Sequence, residues 1–355
     1  MVAAYEPFLG RDTRTGTWAD LARGTYRLAV ERAAAGAGDE AARLVEVAIL
    51  EAEELHDVYG RWPEQVLEWL NGQGVPADRV GGEVDSLRSL LGVEAMDGFE
   101  AGWRDYLALS RAAADSCRRG APEAASAVLA VRDHWQRVHD GAVDKLYGLL
   151  DVVVRLLGEE RLGDVWTVLM ADWYDAHEAR LALSAQPWNE SRRQLMVAIV
   201  DGFHAHLTGV DRLGDVELIE ETDRIGFRFA PCGSGGRTLA DATTGGHPRP
   251  AEPYSFAVTA KKHDWAWNTE GICAYCVHCC LLNEKVPIER LGYPTRVIEP
   301  PVWPAARADA TCTWWVYKNP ALVPDWVYAR VGSSPSRRPA PTVDEHPDLG
   351  EDATR

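Results

Sequence analysis

The segment GICAYCVHCC, residues 271–280, sets Cys273, Cys276 and Cys279 at three-residue intervals, with His278 inside the run and Cys280 directly after it. A Cys-x2-Cys pair holds a metal because its turn brings two thiolates onto one ion, at about 2.3 Å for zinc. Two remote cysteines, Cys232 in PCGSGGR and Cys312 in ATCTWWVYK, would complete a four-thiolate set. The expected Zn2+ ligands are therefore Cys232, Cys276, Cys279 and Cys312, the central pair being chosen because it flanks His278. A four-iron iron–sulfur cluster also suits Cys-x2-Cys-x2-Cys plus one remote cysteine, although no ferredoxin-like x3-Cys-Pro continuation follows. Thiol redox chemistry or disulfides form the third reading. Adjacent Cys279 and Cys280 do not easily share one tetrahedral ion, so Cys280 and Cys273 are left over. A spare thiol beside a metal or cation has a lowered pKa and acts as a nucleophile, while one in an apolar setting packs as a small hydrophobe.

PCGSGGR, residues 231–237, carries three glycines within four positions. Such a backbone approaches a ligand closely and can present N–H groups to an anion, with Arg237 as a clamp for carboxylate or phosphate. No Gly-Lys-Ser/Thr follows, and the G-x-G-x-x-G spacing is missing, so neither nucleotide loop is present. The glycines also serve if they only permit the tight turn that a cysteine ligand needs. The candidate catalytic residues are Arg237, Cys273, Cys280, His278 and Glu270. They lie in a stretch rich in aromatic and charged residues that continues through Tyr275, Glu284, Arg296, Trp303 and Trp314 to Lys318. Aromatic walls with a few polar groups suit a small-molecule pocket, and equally the core of a segment short of regular structure.

A second constellation comes from an internal repeat. Glu40-Ala41-Ala42 recurs as Glu123-Ala124-Ala125, and His56-Asp57 as His139-Asp140, at one offset of 83 residues (123 − 40). Val45 and Val128, Leu55 and Val138, and Leu67 and Leu150 keep the same offset. With His177, Glu178, His204 or His206, the repeated histidines could hold a metal or exchange protons across a central cavity. Glu53-x-x-His56 has the form of a helical carboxylate–metal motif, but Gln136 replaces the Glu in the second copy. The structural alternative puts each His near a helix C-terminus and lets each Asp cap the next helix.

The elements that must position these groups differ along the chain. Residues 1–231 hold 24 Lys+Arg against 40 Asp+Glu, whereas 232–332 hold 10 against 9. Six of the fourteen Trp lie between Trp265 and Trp326. The acidic part reads as helical: Leu146, Leu149, Leu150, Val153, Leu156 and Leu157 form one stripe of a 3.6-residue period. Asp39 or Glu40 starts a helix running to His56, and Pro63 is placed to open another. Short strands are expected at 216–219, 225–230, 295–298 and 313–317. The fold class is thus mainly α: a duplicated helical-hairpin bundle, then a small, loop-rich α+β Cys/Trp-rich metal-binding domain. Its expected parts are an N-terminal extension (1–17), an acidic bundle (18–225, with repeats near 32–91 and 115–175), a Cys-rich domain (226–332) and a disordered tail (333–355).

The passage GFRFAPCG, residues 226–233, an aromatic-alternating strand leading into a cysteine, resembles the aminothiazoline-carboxylate hydrolases. That likeness spans well under a fifth of the chain, and no residue role is carried over from it. A net charge of −17 argues against nucleic-acid and membrane-surface partners. The start of the chain lacks a basic-then-apolar export signal, so the expected location is cytoplasmic. The function expected is a cysteine-ligated zinc enzyme acting on a small organic molecule between the helical and Cys-rich parts. An iron–sulfur redox enzyme or lyase, and a non-enzymatic ligand or partner-binding protein with a structural four-cysteine zinc, stand as alternatives. A homo-oligomer is compatible with all three.

Overall fold

A computed structural model describes residues 2–340, which are mainly helical with two small antiparallel sheets. Strands β1 (Ala3–Glu6) and β2 (Arg11–Arg14) form an N-terminal hairpin. The longer helices follow: α1 (Thr25–Ala34), α2 (Gly38–Gly72), α3 (Ala77–Leu91), α4 (Phe99–Arg118), α5 (Ala124–Leu157), α6 (Leu162–Leu169), α7 (Ala171–Leu181) and α8 (Trp188–Ala205). A second sheet, in the order β3 (Glu217–Glu220), β4 (Arg224–Phe229), β6 (Cys312–Tyr317), β5 (Val297–Glu299), is antiparallel throughout. These strands lie within two residues of the positions expected from alternation. Among the described residues no helix is long and apolar enough to cross a membrane.

The two segments that share the 83-residue offset lie on α2 and α5, helices of 35 and 34 residues. The stripe on α5 is as expected, with Leu146, Leu149, Leu150 and Val153 essentially inaccessible. The expected hairpin turn is not there. His56-Asp57 and His139-Asp140 sit in helix interiors, so neither His is at a C-terminus and neither Asp is a cap. Pro63 lies inside α2 rather than opening a new helix. An interior proline costs about 3 kcal/mol. Val58, Tyr59, Trp62, Val66 and Leu70 are all buried around it, each contributing about 1.5–3 kcal/mol, so packing prevails over the break.

One apolar core continues from Val45 on α2 and Leu150 on α5 to Tyr275, Val277 and Val316 in the Cys-rich part. The boundary expected at 226 falls inside β4. Aromatic donors tie the two parts together: Trp166 Nε1 donates to the Ala274 carbonyl at 2.8 Å, and Tyr147 Oη to that of Ala257 at 2.9 Å. Within the Cys-rich part the buried carboxylate of Glu284 is a hub. It accepts from Trp267 Nε1 and the Ile298 backbone, each at 2.8 Å, and pairs with Arg330. Of the expected disordered tail, 333–340 is ordered: Pro335–Arg337 form a turn and Arg338 pairs with Asp325. The remainder, 341–355, lies outside the described residues.

Trp166→Ala should lower stability by about 3–5 kcal/mol, since it removes a fully buried indole and strands the Ala274 carbonyl. Urea unfolding checks this; an unchanged midpoint would contradict the packing described.

Candidate active site

A cavity of about 510 Å³ lies between the helical and Cys-rich parts. Its walls come from α2, α7, α8, the β1–β2 hairpin, residues 275–283, Arg296 and Trp314. Phe8 and Arg11 bring the N-terminal segment into the wall.

Cys279 and His278 face this space together. They begin a helical run made of α9 (Val277–Cys280), a π-helical turn (Leu281–Lys285) and α10 (Val286–Leu291). His278 Nδ1 lies 2.6 Å from the Tyr275 carbonyl, which can only accept, so Nδ1 carries the proton. The bare Nε2 then points at Cys279 Sγ, 3.4 Å away. Burial pushes the Cys279 thiol well up, nearby Cys232 adds to this, and Arg296 opposes it. Burial also pulls His278 down to about 4. The pair therefore rests neutral, as thiol and imidazole, with an acceptor in place for the thiol proton.

Arg296 is the unusual charge of the cavity. Among the described residues no carboxylate pairs with it, although it is 93% buried. Its guanidinium lies over Trp314 at 5.2 Å, and Nη2 donates to His177 Nε2 at 3.0 Å. His177 can accept because its Nδ1–H is given to the Trp173 carbonyl. Burial, reinforced by Arg296, holds His177 down to about 3. Burial lowers Arg296 itself to about 10, against the attraction of Cys279, so it stays cationic at neutral pH. Its Nε finds no acceptor, and the buried Asn283 Oδ1 in the same wall finds no donor.

Pro287 helps explain how Arg296 is held. It has no N–H to return to the Asn283 carbonyl four residues earlier, so the helix widens and that carbonyl is free. It accepts the backbone N–H groups of Thr295 at 3.0 Å and Arg296 at 3.4 Å.

A second imidazole, His206, lines the cavity just beyond α8. Its Nδ1 is 2.9 Å from His139 Nε2, and His139 Nδ1 is 3.1 Å from Asp140. Arg212 grips Asp140 through two nitrogens at 2.8 and 3.2 Å, and Arg237 Nε lies 3.4 Å away. Burial opposes ionisation of Asp140, but Arg237 and Arg212 outweigh it and hold the carboxyl well below the usual range. The glycine loop fixes this end: a Cβ at Gly233 would fall 1.4 Å from the His206 carbonyl oxygen.

Of the residues expected to act together, Cys232, Cys273, Cys276, Cys279 and Cys312 lie close enough to feel one another's charge, whereas Arg237 and Glu270 stand apart from the cavity. Arg237 is buried against Asp144 and Asp140 and is not in the cavity wall, so it has no fork left for a ligand. Glu270 is exposed and outside the wall. Cys280 faces the Trp267 N–H (3.3 Å) and the Asp264 carbonyl, and Cys273 sits buried near Thr238. Cys276 packs against Gly235, Cys232 accepts from the Gly236 N–H at 2.9 Å, and Cys312 lies in β6 opposite Phe229. Among the described residues no group of three His, Cys, Asp or Glu is placed to hold a metal ion. Gly233, Gly235 and Gly236 admit the close approach of the His206 carbonyl and of the Cys276 and Cys232 sulfurs. His56 stacks on Trp103 of α4 beside Glu100, outside the cavity, and buried His204 pairs with Glu51. Glu178 is exposed on Arg290. Residues not singled out by sequence, Tyr59 and Asn283, also line the cavity, as do the charged side chains of Arg11, Glu51, Glu53, Glu54, Asp57 and Arg180; Tyr59 Oη meets Tyr275 Oη at 2.8 Å. No family model, curated protein or solved structure matches the chain.

Four histidines, at 139, 177, 206 and 278, are held below their ordinary pKa, chiefly by burial. The unfolded chain binds their protons near pH 6.5 and the folded one does not. Stability is therefore full above about pH 6.5 and falls as pH drops toward about 4, each histidine adding about 1.4 kcal/mol per pH unit. Urea midpoints at pH 7.5 and 5.5 should differ accordingly, and less so in His278→Gln. Equal midpoints would contradict the neutral burial.

Proposed function

We propose that the protein is a cysteine-dependent enzyme that hydrolyses a small anionic organic molecule in the cavity between its helical and Cys-rich parts. Cys279 is the nucleophile, His278 its proton acceptor and Arg296 the seat of the substrate's negative group. One observation carries this reading: a thiol with a bare imidazole nitrogen at 3.4 Å shares a cavity wall with a buried guanidinium that has no carboxylate. A buried cation without an anion is costly, and a bound carboxylate would relieve it through charge-assisted hydrogen bonds.

In the first step Sγ bonds to an electrophilic carbon of the substrate while His278 Nε2 takes the thiol proton. The leaving group departs with the electron pair of its bond and receives that proton from His278. Negative charge grows beside Arg296, in a site walled in part by Trp62, Trp173 and Trp314.

Iodoacetate and iodoacetamide test the reading with one chemistry and two charges. Cys279 should be alkylated by iodoacetate at least about tenfold faster than by iodoacetamide, a difference expected of one charge-assisted contact. Arg296→Met should erase that preference, and Cys279→Ser should abolish the label, mapped by peptide mass spectrometry. Equal rates with both reagents, or labelling confined to other cysteines, would defeat the assignment.

A further inference from the structure

We propose that His206 is the base of the second half-reaction, taking the proton from the water that hydrolyses the covalent Cys279 intermediate. His139, Asp140 and Arg212 are positioning residues that hold it in the tautomer this requires. The inference rests on the reading of Cys279 as nucleophile and extends it from bond formation to release.

The hydrogen-bond chain leaves one consistent assignment. The Asp140 carboxylate accepts, so His139 carries its proton on Nδ1. His139 Nε2 is then an acceptor, and the proton between the two rings belongs to His206 Nδ1. His206 Nε2 is left bare on a residue that lines the cavity shared with His278 and Cys279. The chain is rigid: His139 is fully buried, Arg212 fixes Asp140 from two sides, and Gly233 presses on the His206 carbonyl. The groups facing His206 are His139, His278 and Arg212; burial first, then the repulsion that a proton on His206 would meet from a protonated neighbouring imidazole or from Arg212, keeps it neutral. The attacking water needs a base. His278, neutral again once the first leaving group has taken its proton, keeps Nε2 directed at Sγ itself at 3.4 Å, and His206 supplies the second bare imidazole nitrogen of the cavity.

The step balances. The water oxygen bonds to the acyl carbon as His206 Nε2 takes one of its protons. The tetrahedral species then collapses, the carbon–sulfur bond breaks, and Sγ leaves with the electron pair. The thiolate takes up the proton that His206 received from the water, and the acid product departs with the water's other proton. A positive charge arising on His206 is transmitted through His139 toward Asp140, the anion at the end of the chain.

The test uses 4-nitrophenyl acetate as a small acyl donor and follows nitrophenolate release together with intact mass. Wild type should show a burst equal to the protein present, then continued turnover. His206→Gln should keep the burst, lose about 100-fold or more of the steady rate, and accumulate acetyl-Cys279. His139→Leu should also slow deacylation and displace its pH profile, whereas His139→Gln, which retains an acceptor for His206 Nδ1–H, should restore both. A merely structural role would instead reduce burst and turnover in step. If His206→Gln deacylates at the wild-type rate while acetyl-Cys279 still forms, this inference falls and the nucleophile stands. If wild type yields no acetyl-Cys279, both fall.

Discussion

A guanidinium removed from water without a counter-charge governs the organisation of the cavity. Arg296 cannot shed its proton at neutral pH, so its surroundings must accommodate a cation. Trp314 offers a π face, His177 offers a lone pair, and the Cys279 thiol offers latent negative charge. None of these supplies a full anion. His177 is useful here only as a neutral ring, which explains why its other nitrogen is committed to a backbone carbonyl. The same logic covers His278, whose tautomer is set by the Tyr275 carbonyl. Backbone carbonyls, themselves fixed by helical geometry, thus decide where protons reside around the thiol.

The two long helices contribute unequally to the site. Both carry His-Asp at the same register, but the first copy gives the cavity only Asp57, and the second reaches it through His206. His139 is enclosed and linked to His206, and its Asp140 meets two arginines from the segments after α8. His56 stacks on Trp103 at 4.6 Å and faces an exposed glutamate. The difference lies less in the helices than in what packs on them. The later part of the chain covers one copy and leaves the other at the surface.

Much of the fold could be read locally. The α5 stripe and the four short strands of the larger sheet are legible, whereas the 83-residue repeat suggests two helical hairpins where single long helices stand. His278, Tyr275, Arg296 and Trp314 lie in the stretch whose composition suggested a pocket. Sequence could not show that Cys279 alone of the clustered thiols faces the cavity. That depends on the orientation of one short helical run, and the Cys-x2-Cys spacing serves a thiol in a wall as well as a ligand. Arg237 misled because its internal partners, Asp140 and Asp144, lie about ninety residues upstream. Pro63 misled because the burial around it is tertiary. Two prolines nonetheless carried an unread signal. Pro63 and Pro287 each follow by four residues a cavity residue, Tyr59 and Asn283, whose carbonyl they leave without its helical donor.

The widened turn at Leu281–Lys285 also makes the thiol's address a matter of chain length. A π turn contains one residue more than the α turn it replaces, and each residue rotates a helix by about 100°. Excising a single residue there would let the helix wind regularly and swing Cys279 away from Arg296, with every named side chain still encoded. A relative whose alignment opens a one-residue gap across 281–285 could therefore keep the cysteine, the histidine and the arginine and still lack this pocket.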